Sequence, residues 1–338
     1  LDDLHWETST EYNYGADVML FGGRLKFTFD YYQKYIKDLL QKDYKLPSST
    51  GFGSMRYYNS GKMENKGWEF RADAIFWKNK DWQISGYVNL SRNENRITEL
   101  PGNMAQETYE ANNGKYAARV EVGQPVGAFY GYRYLGVYKD KDATYARDAS
   151  GNIMNDVHGK PIVMKNLTKA CQPGDAIYED INHDGVINQY DIVYLGNYNP
   201  VLTGGAGLTV KYKQVSLSAF FHGRFGQSIV NTARMNNESM YSDDNQSTAV
   251  LRRWRNEGDV TDIPRALYKE GYNYLGSDRF VEDASFIRLK TLTLNYLFPK
   301  KICNRLGINT LSCFVTGYNL FTWTNYTGQD PEVEIGRG

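Results

Sequence analysis

No stretch of eighteen consecutive apolar residues occurs in this chain, which rules out a transmembrane helix, since about 20 such residues are needed to cross a bilayer. That absence leaves strands open, because a barrel strand is polar at every second residue. Charge of one sign is also missing: 39 Lys and Arg balance 39 Asp and Glu, so no global field draws nucleic acid, and a nucleic-acid partner is not expected. Cysteine is scarce. Cys171, Cys303 and Cys313 are odd in number and lack CxxC spacing, so neither a disulfide framework nor a zinc site is written here. A Cys303–Cys313 bridge stays open beside two inert thiols. The four histidines, His5, His158, His183 and His222, stand far apart, and no HExxH, GxSxG, P-loop or complete GxGxxG occurs. The expectation is therefore no enzyme; Asp and Glu on alternating positions are explained by solvation of a polar face rather than by a catalytic carboxylate pair. Leu1–Trp6 have neither a basic start nor an apolar h-region, so no signal peptide is visible and the chain reads as beginning mid-protein.

What is abundant is aromatic. Tyr occurs 28 times, Phe 15 and Trp 6, with 32 Gly, a composition that suits pleated, half-exposed surfaces. These residues alternate. Tyr12, Tyr14, Ala16, Val18 and Leu20 interleave with Glu11, Asn13, Asp17 and Met19; after Gly22-Gly23, Leu25, Phe27, Phe29 and Tyr31 interleave with Lys26, Thr28 and Asp30. The pattern predicts a hairpin across a Gly-Gly turn. Similar pairs run through 68–76 and 82–90, through 206–212 and 215–222, and through 292–296 and 311–316, which makes eight strands of about 10–14 residues, longer than the usual 5–6.

Connections alternate in length. Turns of a few residues lie at 22–23, 78–81 and 213–214, with a longer one near 299–308, whereas the segments 40–58, 98–200, 227–280 and 322 onward far exceed ordinary hairpin loops. Short turns on one side and long extracellular loops on the other are the layout of outer-membrane barrels. The fold class expected is therefore all-β, an antiparallel transmembrane β-barrel segment, with the Tyr/Phe/Val/Leu set toward lipid. Glu11, Asn13, Asp17, Lys26, Asp30, Glu69, Arg71, Asp73 and Gln83 are assigned to the lumen, and Trp68 and Trp82 to interfacial girdles at strand ends. Charged inward rows of this size do not fit a narrow eight-stranded closure, so the strands read as part of a larger wall. A soluble antiparallel sandwich explains the alternation but not the one-sided loops.

Several segments carry a further signal in order along the chain. They are Leu4-His5-Trp6-Glu7 with Tyr12-Asn13-Tyr14-Gly15; Asn59-Ser60-Gly61-Lys62-Met63-Glu64-Asn65-Lys66-Gly67-Trp68-Glu69; and Val122-Gly123-Gln124-Pro125-Val126-Gly127 with Tyr130-Gly131-Tyr132. Next come Gly174-Asp175, Asp180-Ile181-Asn182-His183-Asp184-Gly185, Gly196-Asn197 with Pro200, Arg253-Trp254, and Ile263-Pro264-Arg265-Ala266. The last are Phe280-Val281-Glu282-Asp283-Ala284-Ser285-Phe286-Ile287-Arg288-Leu289-Lys290, and Gly317-Tyr318-Asn319-Leu320-Phe321-Thr322-Trp323 with Gly328-Gln329-Asp330-Pro331-Glu332. In these collinear motifs the chain resembles the SusC/RagA-type TonB-dependent transporters of the Bacteroidota outer membrane. The resemblance covers nearly all 338 residues and implies residues 1–338 to be the C-terminal part of a barrel of about twenty-two strands. It further implies a plug, TonB coupling, outer-membrane lipid around the wall, a SusD-like surface lipoprotein as lid, and an oligosaccharide or oligopeptide as substrate. A passive or adhesive barrel without TonB coupling is the alternative, and a soluble calcium-binding sandwich another.

The most chemical segment is Asp180–Asp191. Asp180, Asn182, Asp184, the Val186 carbonyl and Asp191 fall at positions 1, 3, 5, 7 and 12 of a calcium loop, with Gly185 at the sharp turn and Asp in place of the final Glu. The reading is a structural Ca2+ crosslinking the long 98–200 loop; the other reading is an Asx-rich turn held by its own side-chain bonds. Tyr130, Tyr132, Tyr134, Tyr138, Tyr241, Tyr272 and Tyr274 offer rings for stacking on sugars or for loop packing. No substrate-binding residue is singled out.

Overall fold

The computed structural model describes residues 4–45, 54–59, 61–100, 114–117 and 120–332. Portions of the expected long segments, 46–53, 101–113, 118–119 and 333–338, lie outside the described residues, as does Ser60.

The alternating runs form one sheet of eight strands: β1 Thr8–Leu20, β2 Leu25–Lys37, β3 Lys62–Lys78, β4 Trp82–Glu99, β5 Leu202–Tyr212, β6 Val215–Phe225, β7 Phe286–Leu297 and β8 Ser312–Thr324. Each pairs antiparallel with its neighbour in sequence, and sheet order equals chain order. Two strands exceed the expected length: β3 has 17 residues and β4 has 18. Both continue past the apolar band into charged sequence, where Glu64 faces Arg96 and Lys66 faces Glu94. Trp68, expected at a strand end, therefore sits inside β3, because the strand runs on to Lys62; Trp82 does open its strand, with its ring 4.4 Å from that of Tyr212.

Register decides the faces. One row runs Val18–Phe27–Ala72–Val88–Ala206–Phe221, and the adjacent row runs Asp17–Thr28–Arg71–Asn89–Gly205–His222. Since side chains alternate across a strand, every residue assigned to the lumen falls in rows of the second kind: Lys26 faces Asp73, Asp30 faces Glu69, and Gln83 faces Lys211. Polar neighbours bond along that face, as in Thr28 to Asp17 at 2.7 Å and Ser91 with Thr203 at 2.6 Å. In β7 the sequence slips by one, Ile287 and Leu289 being odd and Leu292 and Leu294 even. A bulge at Lys290 absorbs the slip and keeps all four on one side.

The apolar face is uncovered. Leu208, Leu217, Leu294 and Phe321 are 45%, 43%, 51% and 62% exposed, large apolar side chains of the kind that mark a surface made to contact something other than water. A sandwich would bury this face under a second sheet, so the soluble-sandwich alternative does not describe the fold. On β4 the band spans about nine residues, Trp82–Leu90, close to the about 9–11 that a tilted strand needs to cross a bilayer.

The two ends of the sheet differ as expected. At one, Phe21–Gly23 turns through left-handed backbone (Gly22 φ 64°, Gly23 φ 85°), and the Asn79 side chain accepts from the amides of Asp81 and Trp82. Residues 213–214 make a tight turn, and the connection near 299–308 holds a short helix, Lys300–Arg305, that alternation cannot signal. Cys303 is buried there and Cys313 exposed on β8; both are free thiols, not a bridge. At the other end the long segments fold on themselves. Their core is Tyr130, Tyr132, Tyr138, Tyr178, Ile187 and Leu275 with smaller neighbours, all lying beyond the strands.

Candidate functional site

The long-loop end is where function-bearing side chains gather, and the two longest segments build it jointly. Short strands Ala128–Gly131 and Val193–Asn197 pair, as do Tyr134–Val137 and Ala176–Tyr178. The second segment threads between them: Tyr116 Oη donates to the Ser277 carbonyl at 2.7 Å, the Leu275 amide donates to Tyr178 Oη at 3.0 Å, and the Tyr134 amide donates to Asp278 Oδ1 at 2.7 Å. Burial holds the Tyr116, Tyr134 and Tyr178 hydroxyls well above the usual phenol range, so they stay neutral hydrogen-bonding groups, and it pushes the Cys171 thiol up to about 12. Tyr130, Tyr132 and Tyr138, read from sequence as rings for stacking or packing, are buried packing residues.

At the centre lies Asp175, fully buried. Its Oδ1 accepts from Arg265 Nε at 2.6 Å and Asn273 Nδ2 at 3.0 Å, its Oδ2 accepts from the Gln172 amide at 2.8 Å, and the Arg265 amide donates to the Gly174 carbonyl at 2.8 Å. Gly174 has φ +87° and lies against the Trp254 ring, where a Cβ would come within 2.3 Å of that ring. Two motifs ninety residues apart, Gly174-Asp175 and Ile263–Ala266, are thus the two halves of one clamp. A second clamp closes near β7 and β8. Arg288, on the polar face, donates to Asp330 at 2.5 Å and to Glu332 at 2.8 Å, and Lys290 donates to Glu332 at 2.8 Å.

The Asp180–Asp191 loop folds tightly around its own carboxylates. Asp180 accepts from the amides of Asp184 (3.2 Å) and Gly185 (2.8 Å), Asn182 Nδ2 donates to Asp184 Oδ2 at 3.0 Å, and Asp184 Oδ1 accepts from the Val186 amide at 2.8 Å. Asp191 is fully buried and accepts from the amides of Ile181 (2.9 Å) and Asn188 (2.8 Å). Burial raises its pKa, with the Asp180 and Asp184 carboxylates adding to the rise against those two amide bonds. The Val186 carbonyl accepts from Asn188 Nδ2 at 3.0 Å. Asp180, Asn182 and Asp184 are thus brought together and Asp191 lies behind them. Among the described residues no group of three or more His, Cys, Asp and Glu side chains has the geometry of a metal cluster. Left-handed His183 (φ 55°) and Gly185 (φ 82°) make the reversal.

Where the cap meets the wall there is a cleft of about 700 Å3 on the polar face, between the β3–β4 rim and residues 194–201. Tyr194 and Tyr198, 39% and 47% exposed, border it with Asn65, Asn93 and Asn95. Sequence reading missed these two rings; the nearest signal was the Gly196-Asn197 and Pro200 motif beside them, Tyr194 standing in the short strand Val193–Asn197.

Comparison with known proteins agrees with this architecture. The profile of the family described as "TonB dependent receptor-like, beta-barrel" matches residues 2–158. A TonB-dependent receptor of Formosa agariphila is 32% identical over 337 residues, covering 98% of this chain and 31% of that protein. The TonB-dependent receptor SusC of Bacteroides thetaiotaomicron is 29% identical over 352 residues, covering 99% and 30%. Among solved structures, the RagAB peptide transporter superposes with a TM-score of 0.70 at 26% identity, over 97% of this chain and 33% of that one. The chain spans about a third of the length of these relatives. They are named receptors and transporters, in keeping with the expectation of no enzyme. A wall of sequential antiparallel strands, long loops at one end and collinear motifs that meet in space place this chain in the TonB-dependent receptor family, as a part of a SusC/RagA-type barrel.

Proposed function

We propose that the chain forms part of the wall and outer mouth of an importer that carries oligomeric nutrients, glycan or peptide, across the outer membrane with energy from TonB and with a SusD-like surface lipoprotein as lid. The observation that carries this reading is the register: eight strands share one apolar and one polar face, and the loops capping the polar side all leave from one end. An apolar face of bilayer height needs lipid, and a charged face needs water, so the polar side lines an aqueous path. In cells expressing the full-length protein, uptake of labelled oligosaccharides and oligopeptides is expected for at least one class and to vanish when tonB is deleted. Undiminished uptake without TonB would assign a passive barrel instead.

We further propose that Asp180, Asn182, Asp184, the Val186 carbonyl and Asp191 hold a structural Ca2+. Two features of the chain fit a cation: among the described residues no Lys or Arg pairs with Asp180, Asp184 or Asp191, and the buried Asp191 carries the repulsion of the other two. Each carboxylate oxygen bonded to one amide keeps a second lone pair for a metal. Asp180→Ala combined with Asp184→Ala is expected to abolish the calcium-dependent part of the protease resistance of segment 120–200 in the full-length protein. Resistance that is equal with calcium and with chelator, before any substitution, would make the loop an Asx-bonded turn.

A further inference from the structure

The cleft between wall and cap is built with a selective chemistry. We propose that it is a subsite for a neutral glycan, which deepens the importer reading by naming the substrate class and rests on it for the route by which the ligand arrives.

Its place favours a passing ligand. Asn65, Ser91, Asn93, Asn95 and Thr203 belong to the polar face of β3, β4 and β5, at the end toward the long loops, so the cleft opens on the face assigned to the aqueous path. Its volume of about 700 Å3 lies within the about 300–1,000 Å3 of small-ligand sites.

Amides, hydroxyls and two aromatic rings make up about half of the lining, with Met63, Val126, Val201 and two prolines among them and Arg92 and Glu94 as its charges. Side-chain amides both donate and accept, which is the complement of sugar hydroxyls, and a Tyr ring offers an apolar face to the C–H side of a pyranose. The rings are held in place from behind. Tyr194 meets the fully buried Tyr130 edge-to-face at 5.9 Å. Tyr198 rests on Gly127 (φ +88°), where a Cβ would come within 2.4 Å of the ring, so this glycine is what lets the ring lie flat. The amides are fixed too: Asn95 Nδ2 donates to Asn65 Oδ1 at 2.7 Å, Asn95 Oδ1 accepts from the Val126 amide at 2.8 Å, and Asn199 Nδ2 donates to the Val126 carbonyl at 3.1 Å. The Asn93 carbonyl accepts from Tyr32 Oη at 2.9 Å. Fixed polar groups beside fixed exposed rings are the preorganisation that a binding site requires.

The backbone argues against the other oligomer. The charged residues of the lining, Arg92 and Glu94, are one of each sign and lie 3.8 Å apart, and Glu94 is also 3.5 Å from Arg96 and 3.9 Å from Lys66. A peptide bound as an added strand needs a row of free amides, and Pro125 and Pro200 in the lining have none.

The test uses the full-length receptor purified in detergent, titrated calorimetrically with maltoheptaose, xylohexaose, laminarihexaose and mannohexaose, with oligogalacturonate as the acidic control and a tryptic casein digest as the peptide control. At least one neutral oligosaccharide is expected to bind. Tyr198→Ala and Asn93→Ala should each weaken it about tenfold, and Tyr198→Phe, which keeps the ring, by less than about threefold, with the thermal melt of the barrel unchanged by the Phe variant. The proposal is overturned if none of the four neutral sugars binds, if only the digest or the acidic sugar binds, or if sugar affinity is indifferent to both Ala variants. The importer reading fails separately: sugar binding that responds to the variants, in a protein whose uptake does not depend on TonB, would keep the subsite and discard the transporter. TonB-dependent uptake of peptides alone would do the reverse.

Discussion

Asp175→Ala is expected to destabilise the cap by about 3–5 kcal/mol, the range seen when one partner of a buried ion pair is removed. Asp175 is fully buried and collects bonds from Arg265, Asn273 and the Gln172 amide, so its loss takes the acceptor from a side-chain amide and a backbone N–H and leaves the Arg265 guanidinium, 24% exposed, with its bond to Tyr272 Oη. The cap rather than the wall should respond, since none of these partners lies on a wall strand. Limited proteolysis of the full-length protein in membranes would read this as new cleavage within 120–200 and 240–280 while the barrel keeps its heat-modifiable migration. Arg265→Ala should do similar damage by leaving the Asp175 charge buried, and the double variant should cost less than the sum of the two. Additive costs, or an intact cleavage pattern in Asp175→Ala, would show that the clamp does not hold the two loops.

Val88→Arg is expected to cost about 2–4 kcal/mol, the penalty for a basic residue on the lipid face near the bilayer midplane, whereas Asn89→Arg on the next residue should cost under about 1 kcal/mol, from the like charge of Arg71 opposite it in water. The two positions are adjacent on one strand and take opposite faces: Val88 lies between Ala72 and Ala206, Asn89 between Arg71 and Gly205. Urea unfolding of the full-length barrel in lipid vesicles measures both. Equal costs would mean that the two faces see the same surroundings, and the assignment of lipid to one and water to the other would fall. Since register propagates across the sheet, this pair tests the orientation of all eight strands.

Much of the wall was legible because its signal is local. Alternation with period two names the face of each side chain, and the Gly22-Gly23, Asn79–Asp81 and Lys213-Gln214 turns mark where strands reverse. The lumen residues Glu11 to Gln83 follow from that periodicity alone, and the structure places them on one face. Legibility failed where a local rule changed. The bulge at Lys290 breaks the alternation of β7, so sequence reading found only its second half, and β3 and β4 run beyond their apolar bands, where strands polar on both faces carry no period-two signal. Inside the cap almost nothing was legible, because its contacts join residues about a hundred positions apart, as Asp175 joins Arg265 and Asn273. The motifs there were visible as strings and not as partners.

The sequence by itself determined that this is a β protein with two unlike faces, tight turns at one end and long loops at the other, since these depend on residue periodicity and turn chemistry. Only the tertiary structure decided that the loops interlock into one cap, that Tyr130 and Tyr132 are core while Tyr194 and Tyr198 border a cleft, and that Asp175 meets Arg265. The reason is physical. Which face a strand side chain takes is set by its nearest neighbours in the chain, whereas burial of a loop ring or pairing of a loop carboxylate is set by whichever distant segment comes to lie against it.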